Sequence, residues 1–242
     1  NVRDLLRNAL PPEVFQLLHP DPIELSDDSF IDENLSLYHS DILIRARARG
    51  SPVLIYILVD HKSYPDRWTV LQLLVYMVRI WEREVSRNRK LKKLPCIIPM
   101  IFYHGERKWT YPLSFAAHVA GDDTLKAYIP RFEPVMFNLQ DVDLDMLPGG
   151  LTMRTALKVL KYALSGLRVH LGEIFESLPD LPVEAKTRTF ISQLLGYIIQ
   201  VSGDVGAEDL EEELQAIEPG LSQEVLMTIE EQLIERGKVE GK

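Results

Sequence analysis

The feature that most constrains the fold is a nearly continuous apolar run, Val53–Val59, which ends in Asp60-His61-Lys62. A run of this kind is typical of a strand that is buried on both faces of a sheet. The turn residues Gly50-Ser51-Pro52 precede it, and another β-type run, Asp41–Arg47, precedes that turn. The sequence therefore predicts a β-hairpin with an aspartate opening its first strand and an Asp-x-Lys motif closing its second.

Hairpin geometry would bring these polar residues together. Adjacent antiparallel strands lie about 4.8 Å apart, so the start of one strand lies opposite the end of the next. We expect the carboxylates of Asp41 and Asp60 to converge on one cation, with the backbone carbonyl of His61 as a third oxygen ligand. Lys62 shares a strand face with Asp60 and can orient or help deprotonate a water. Hard oxygen ligands suit Mg²⁺, with Mn²⁺ as a substitute, and the set suits in-line hydrolysis at phosphorus.

Coincidence is the alternative explanation of this motif. Asp and Lys are abundant, and the same spacing arises by chance in many α/β proteins. Asp60 and Lys62 stand at the end of a predicted buried strand instead of on a solvated helix. That position favours the metal site.

Periodicity and turn signals outline the remaining elements. Residues 1–150 predict an α/β fold of order α-β-β-β-α-β with a mixed sheet, and residues 151–242 predict a helical C-terminal region with an acidic segment and a Gly- and Lys-containing tail. The predicted helices are Val2–Leu10, Glu13–Leu18, Arg67–Arg87, Leu151–Leu167, Leu171–Leu178, Glu184–Val201 and Ser222–Glu235. The predicted strands are Ser29–Leu35, Asp41–Arg47, Val53–Val59, Ile97–Tyr103 and Val135–Leu139, with Pro20–Ser26 as a loop.

The helix Arg67–Arg87 has a clear amphipathic pattern. Asp66 is its predicted N-cap, because a short acceptor side chain there can satisfy the first free N–H groups. Apolar residues recur at helical spacing and form the face predicted to pack on the sheet: Val70, Leu71, Leu74, Met77, Val78 and Trp81.

Charge is distributed unevenly along the chain, whose net charge is −9. Residues 1–110 hold 16 Lys and Arg against 14 Asp and Glu, whereas residues 111–242 hold 11 against 22. The front half contains a basic cluster, which comprises Arg79, Arg83, Arg87, Arg89, Lys90, Lys92 and Lys93. Two explanations stay open for it: cations complement a helix C-terminus, or they contact the phosphate backbone of DNA.

Composition excludes several classes of protein. The hydrophobic content of 46% is enough for a core, and one cysteine, Cys96, rules out a disulfide framework. Cys96 lies in an apolar run and is predicted to be a buried structural thiol. Neither a signal-peptide pattern nor an apolar run near 18 residues is present, so we expect a cytoplasmic protein that does not associate with membranes.

Five ordered segments together resemble one family: Ser29-Phe-Ile-Asp-Glu-Asn-Leu35, His39-Ser-Asp-Ile-Leu43, Asp60-His-Lys-Ser63, Leu73-Leu-Val-Tyr-Met-Val-Arg-Ile-Trp-Glu82 and Pro99-Met-Ile-Phe-Tyr-His-Gly105. The chain resembles the recombination-promoting nuclease family, also called the YhgA-like putative transposase family, a bacterial branch of the PD-(D/E)xK nuclease superfamily. The likeness covers about residues 1–150 well and the remainder loosely. It implies a restriction-endonuclease-like core and Mg²⁺-dependent DNA endonuclease activity linked to recombination and mobile elements. The family often has Glu-x-Gln where this chain has Asp60-x-Lys62, a departure toward the superfamily pattern.

The resemblance also implies further site residues. Some superfamily nucleases use a helix Gln or Glu to position the water or metal, which makes Gln72 a catalytic candidate, although a solvated polar role is the simpler reading and the family more often has Arg there. Asp32 could add a carboxylate, or it could face a turn. His39 and His104 match family segments beside strand ends and could titrate near neutral pH, or they could only satisfy loop backbone.

Two other functions stay open at this point. One is a non-catalytic DNA-binding or assembly module derived from a nuclease, and the other is an interaction protein that uses its acidic helices. Either core packing or formation of a homodimer would explain the amphipathic helices after residue 150. The chain starts within the predicted first helix, so an acidic ligand that the superfamily commonly draws from that helix is expected to be missing or weakly replaced by Asp4 or Glu13.

Overall fold

The structure is a computed structural model that describes residues 2–19, 23–25, 42–49, 54–176, 185–202 and 205–217. Within these ranges the chain forms two compact units, Val2–Asp141 and a second unit that begins at Val142. The predicted strand Ser29–Leu35, the predicted helix Ser222–Glu235 and the C-terminal tail lie outside the described residues. Asp60 and His61 are described in their backbone and strand pairing only.

The first unit is built on a five-stranded mixed sheet with strand order β1-β2-β3-β4-β5. The strands are β1 (Glu24–Leu25), β2 (Ile42–Arg47), β3 (Leu54–Lys62), β4 (Cys96–Tyr103) and β5 (Val135–Asn138). β1 and β2, and likewise β2 and β3, are antiparallel, whereas β3, β4 and β5 run parallel. The mixed α/β class is therefore confirmed, and so are four of the five predicted strands.

Three differences from the predicted elements concern this sheet. β1 occupies part of the segment predicted as a loop, because Glu24 and Leu25 pair with Arg45 and Ile44. β3 runs three residues further than predicted, through Lys62, so the Asp-x-Lys motif belongs to the paired strand itself. The prediction of a buried thiol at Cys96 is wrong, because this residue opens β4 and is exposed.

Helix α3 (Thr69–Arg87) connects β3 to β4 and packs on one face of the sheet. A shared core contains Leu73, Tyr76, Met77 and Ile80 of the helix, Leu43 of β2, and Ile97, Ile101 and Tyr103 of β4. Each of these large side chains contributes about 1.5–3 kcal/mol when it is removed from water. We call the side of the sheet that meets this helix the α3 face.

The side of helix α3 that packs on the sheet differs from the side predicted by spacing. Val70 and Met77 are buried as predicted, but Leu71 and Val78 are 42% and 41% exposed. The helix also starts at Thr69, two residues later than predicted, and Trp68 is its N-cap. Asp66 instead accepts a hydrogen bond from the Trp68 backbone N–H at 2.9 Å and so shapes the turn before the helix.

Two short helices, α1 (Val2–Ala9) and α2 (Pro12–Leu17), precede the sheet and lie close to their predicted bounds. α1 contacts β5, and Leu6 and Ala9 are buried. The remaining segments of this unit include 3₁₀ turns at Phe115–His118, Asp123–Tyr128 and Leu139–Asp141.

The second unit is helical within its described residues, with α4 (Leu151–Tyr162), α5 (Leu167–Phe175), α6 (Ala185–Val201) and α7 (Ala207–Ile217). Its core contains Val159, Phe175, Leu195 and Leu210, among others. The predicted helix Leu151–Leu167 is wrong at its end, because the chain turns at Gly166, whose φ of 96° favours glycine. None of the helices in the described ranges is long and apolar enough to cross a membrane.

Candidate active site

A lysine and a glutamine from neighbouring elements meet at the end of the central strand. Lys62 closes β3, and its Nζ donates a hydrogen bond of 2.8 Å to Oε1 of Gln72. Both side chains are partly buried. The structure therefore brings together two of the four predicted catalytic residues, Lys62 and Gln72.

The local sequence explains why the two side chains meet. After Lys62 the chain turns through Ser63–Trp68 and enters α3, so Gln72 lies in the first turns of the helix. The turn is held by Asp66, whose backbone oxygen accepts hydrogen bonds from the Thr69 backbone N–H at 3.3 Å and from Thr69 Oγ1 at 3.0 Å. This fixed turn places the start of α3 above the end of β3, the strand that precedes it.

Of the predicted metal ligands, Asp60 and His61 are described in their backbone, and both lie at this end of β3. Ile42 pairs with Val59, and Asp60 and His61 pair with Ile101 and Phe102 of β4. The Asp60 side chain and the whole of Asp41 lie outside the described parts. Among the side chains that are described, no three His, Cys, Asp or Glu residues group as a metal site.

Backbone pairing assigns a direction to the His61 carbonyl. The Lys62 carbonyl accepts a hydrogen bond of 3.1 Å from the His104 backbone N–H, so it points toward β4. Carbonyls of consecutive strand residues point to opposite sides, and the His61 carbonyl therefore points away from β4. On that side, the described pairing of β2 with β3 ends at the pair of Ile42 and Val59. The His61 carbonyl therefore lies outside the hydrogen bonds of the parallel β3–β4 ladder.

Of the remaining candidate residues, His104 is described and Asp32 and His39 lie outside the described residues. His104 is buried, with 3% of its surface exposed, and its carbonyl accepts a hydrogen bond of 3.4 Å from Gln140 Nε2. With the backbone bond to Lys62, His104 ties together the ends of β3 and β4 and the segment after β5. Both contacts use backbone atoms of His104, and they hold the strand ends beside the site.

The basic cluster lies toward the other end of the sheet. α3 starts beside the end of β3 and runs back, so the loop after Arg87 leads into the first residue of β4, Cys96. β4 is eight residues long, and its two ends are therefore about 23 Å apart. Arg79 lies midway along α3 and is paired with Glu82 at 3.2 Å. The structure thus does not bring the cationic loop 88–93 to Lys62.

The turn after β4 reaches the site, and only its first residue, His104, is a candidate from the sequence. The Tyr103 hydroxyl donates to the Arg107 carbonyl, and a Cβ on Gly105 would collide with the Ser63 carbonyl and the Tyr103 ring. Burial raises the pKa of the Tyr103 phenol, and the nearby Arg107 charge opposes part of that rise. The glycine is needed because the backbone of the turn approaches β3 closely.

The family of the chain follows from comparison with known proteins. The family model described as "Putative transposase, YhgA-like" matches residues 1–190. The chain belongs to this family. It is 28% identical over 235 residues to recombination-promoting nuclease RpnD of Escherichia coli O157:H7, which covers 96% of the chain and 87% of that protein.

Two further relatives carry different descriptions of activity. Recombination-promoting nuclease RpnA of Escherichia coli K12 is 25% identical over 98% of the chain and 79% of its own length. Inactive recombination-promoting nuclease-like protein RpnE of the same strain is 27% identical over 97% of the chain and 77% of its own length. Comparison with solved structures gave no match. Overall identity therefore does not separate relatives named as nucleases from one named as inactive.

Proposed function

We propose that this protein is a metal-dependent DNA endonuclease with a restriction-endonuclease-like core. The observation that carries the proposal is the hydrogen bond from Lys62 to Gln72 at the end of β3. It holds an ammonium group beside the strand position of Asp60, two residues earlier, where alternation gives both side chains the same face. The names of the relatives RpnD and RpnA support a nuclease linked to recombination.

The second carboxylate of the proposed site follows from the strand register. Val59 points its backbone groups toward β2, so Ile42 and Val59 form a hydrogen-bonded pair. If the same register continues by one residue, Asp41 and Asp60 form the next pair, of the non-hydrogen-bonded type. The Cα atoms of such a pair are about 4.5 Å apart and its side chains are close, so the two carboxylates could share one cation.

In this proposal each group has one task. Asp41, Asp60 and the His61 carbonyl would hold Mg²⁺, or Mn²⁺ in its place. The bound ion would supply Lewis acidity and lower the pKa of a water. Lys62 would orient the attacking water, whose oxygen bonds to phosphorus while one bridging P–O bond breaks, and Gln72 would hold the Lys62 ammonium in position. DNA as the substrate would place the protein in the bacterial cytoplasm.

Plasmid nicking tests the proposal directly. The full chain should nick supercoiled DNA in Mg²⁺ or Mn²⁺ but not in EDTA, and Asp60→Asn should reduce the rate at least about 100-fold. Asp66→Asn is the matched control, because an amide oxygen can still accept the Trp68 N–H bond that shapes the turn. We expect the control to retain both nicking and melting temperature. Nicking that is equal in the Asp60 variant and the unsubstituted chain would contradict the assigned site.

The second candidate function is a DNA-binding or assembly module without catalysis. It is favoured by one observation, the name of the relative RpnE, which is described as inactive at 27% identity. Such a module would bind DNA without a rise in melting temperature on addition of Mg²⁺ or Mn²⁺. A metal-induced rise that Asp60→Asn removes would exclude it. A homodimer through the helical unit remains a prediction in either case.

A further inference from the structure

We propose that Arg107 and Lys108, in the turn after β4, bind a DNA backbone phosphate next to the candidate site. This inference rests on the proposed function only in taking DNA as the substrate. It assigns the nearest phosphate contact to residues outside the basic cluster. The turn that carries them comprises residues His104–Lys108.

Strand register places this turn beside Lys62. Tyr103 is the last residue of β4 and pairs with Lys62, the last residue of β3. Neighbouring strands are about 4.8 Å apart, so the turn begins at that distance from the lysine backbone. The His104 N–H bond to the Lys62 carbonyl, at 3.1 Å, fixes the start of the turn.

The turn then folds back over the α3 face. The Tyr103 side chain lies in the core with Leu73 and Ile80 of α3, and its hydroxyl donates to the Arg107 carbonyl. The Lys62 side chain lies on this same face, because it reaches Gln72 of α3. A tyrosine ring and a lysine chain extend to similar heights above a sheet, so the Arg107 carbonyl lies roughly 10 Å or less from the Lys62 ammonium.

Packing makes the turn rigid while its cations remain exposed. Gly105 fits closely against Ser63, and the Trp109 ring packs edge-on against Tyr103 with ring centroids 5.3 Å apart. Arg107 and Lys108 are both exposed. Neither makes an ion pair with a carboxylate in the described part of the chain, although Glu106 on the same turn reduces their joint charge to a net +1. Because the backbone of the turn is already fixed, only side-chain freedom is lost when the two cations bind a phosphate.

The basic cluster is less well placed for this task. Its loop lies at the start of β4, about 23 Å from the end where Lys62 lies. That distance corresponds to about seven base pairs of duplex at about 3.4 Å each. The loop could contact DNA farther along, but at this distance it could not hold the phosphate that is being attacked.

The test compares salt-dependent binding of a fluorescent duplex of about 20 base pairs, in EDTA, by the full chain and by Arg107→Ala/Lys108→Ala. Each phosphate that is no longer neutralised lowers the log–log salt slope by about 0.9, so loss of this one contact should lower the slope by about 1 and weaken binding roughly tenfold. Arg107→Lys/Lys108→Arg should restore the slope, because charge is retained. Lys126→Ala/Arg131→Ala removes two cations from another loop and should change the slope by less than about half as much.

A second readout ties the contact to the site. At saturating DNA and with Mg²⁺, Arg107→Ala/Lys108→Ala should nick roughly tenfold more slowly, because the phosphate is positioned less well. An unchanged salt slope overturns this inference while nicking by the unsubstituted chain still supports the nuclease. A reduced slope in a chain that never nicks supports the phosphate contact and overturns the nuclease. Absence of DNA binding by the unsubstituted chain overturns both.

Discussion

Two lysines, one in each unit, show how differently the chain places ammonium groups. Lys62, at the end of β3, donates to the amide of Gln72 at 2.8 Å. Lys158 of α4 has 8% of its side chain exposed and forms ion pairs with Asp145 at 2.8 Å and Glu173 at 3.7 Å. The Gln72 amide oxygen orients the ammonium group of Lys62, whereas Asp145 and Glu173 bring two carboxylates to the buried ammonium group of Lys158. The contacts of Lys158 stabilise the helical unit, and Lys62 is the lysine to which the proposed function gives a role in the reaction.

The surroundings of Lys158 support that structural role. Glu173 also accepts hydrogen bonds from the Tyr162 hydroxyl at 3.1 and 3.2 Å, and the Tyr162 ring stacks on His170 at 3.7 Å. Burial and the hydrogen bond to Glu173 raise the pKa of the Tyr162 phenol. These contacts join α4 to α5 and fasten the turn that contains Asp145 to the same helix pair.

The largest expected effect comes from replacing each lysine separately by methionine, which nearly keeps the length of the side chain but removes its charge. Lys62→Met should lower the nicking rate about 100-fold or more, as is usual for a group that orients the reacting water. Its melting temperature should stay within about 2 °C. Lys158→Met, corrected for the folded fraction, should nick at the unsubstituted rate. Full nicking by Lys62→Met would remove the basis of the comparison.

A glycine in each unit gives the next effect. Gly105→Ala should destabilise the chain by about 1–3 kcal/mol, because the new Cβ meets the Ser63 carbonyl and the Tyr103 ring. Gly172→Ala meets nothing within 4 Å and lies in α5, so it should stabilise by up to about 1 kcal/mol through helix propensity. Urea unfolding of both variants measures the two changes in the free energy of unfolding. Equal effects of the two substitutions would contradict the close approach of the turn to β3.

Stability in the helical unit should depend on Lys158. Lys158→Met leaves Asp145 and Glu173 without their shared cation, and we expect a loss of about 1–3 kcal/mol in the free energy of urea unfolding. Arg168→Met is the control in the same unit, since Arg168 is 62% exposed and pairs with Asp209 at 2.5 Å. Exposed pairs contribute about 0–1 kcal/mol, so the control should cost less. A larger loss of unfolding free energy in Arg168→Met than in Lys158→Met would show that burial does not decide how much these ion pairs stabilise the unit.

Sequence reasoning could identify Lys62 because its signal is local. A buried apolar run, a motif at its end and the following helix define which residues meet, and Gln72 follows from chain proximity. The same reasoning could not find Lys158, which looks like an ordinary polar residue of an amphipathic helix. Its burial depends on Asp145 in a preceding turn and Glu173 in the next helix, and such contacts have no short-range signature.

The same distinction explains the wrong predictions for the fold. Spacing alone assigned Leu71 and Val78 to the packed face of α3, but three-dimensional packing selected Leu73 and Ile80. An apolar run predicted a buried Cys96, yet the residue opens its strand and is exposed. Existence of the elements was predictable, whereas the helix face and the element ends depended on tertiary contacts.

The smallest predicted effect is a pH dependence in the helical unit. The hydrogen bond and positive charge of Lys158 hold the pKa of Asp145 below its ordinary value. A lowered folded-state pKa stabilises the protein at pH values above the unfolded-state pKa of about 3.9, and this stabilisation is lost as the pH falls through the folded value. Asp145→Asn should therefore be less stable than the unsubstituted chain at pH 7, by less than about 1 kcal/mol because the carboxylate is 72% exposed. Urea midpoints measured between pH 7 and pH 3 should converge as the pH falls below about 4. A gap that stays constant over this range would show that the Asp145 charge contributes nothing to holding the turn against α4.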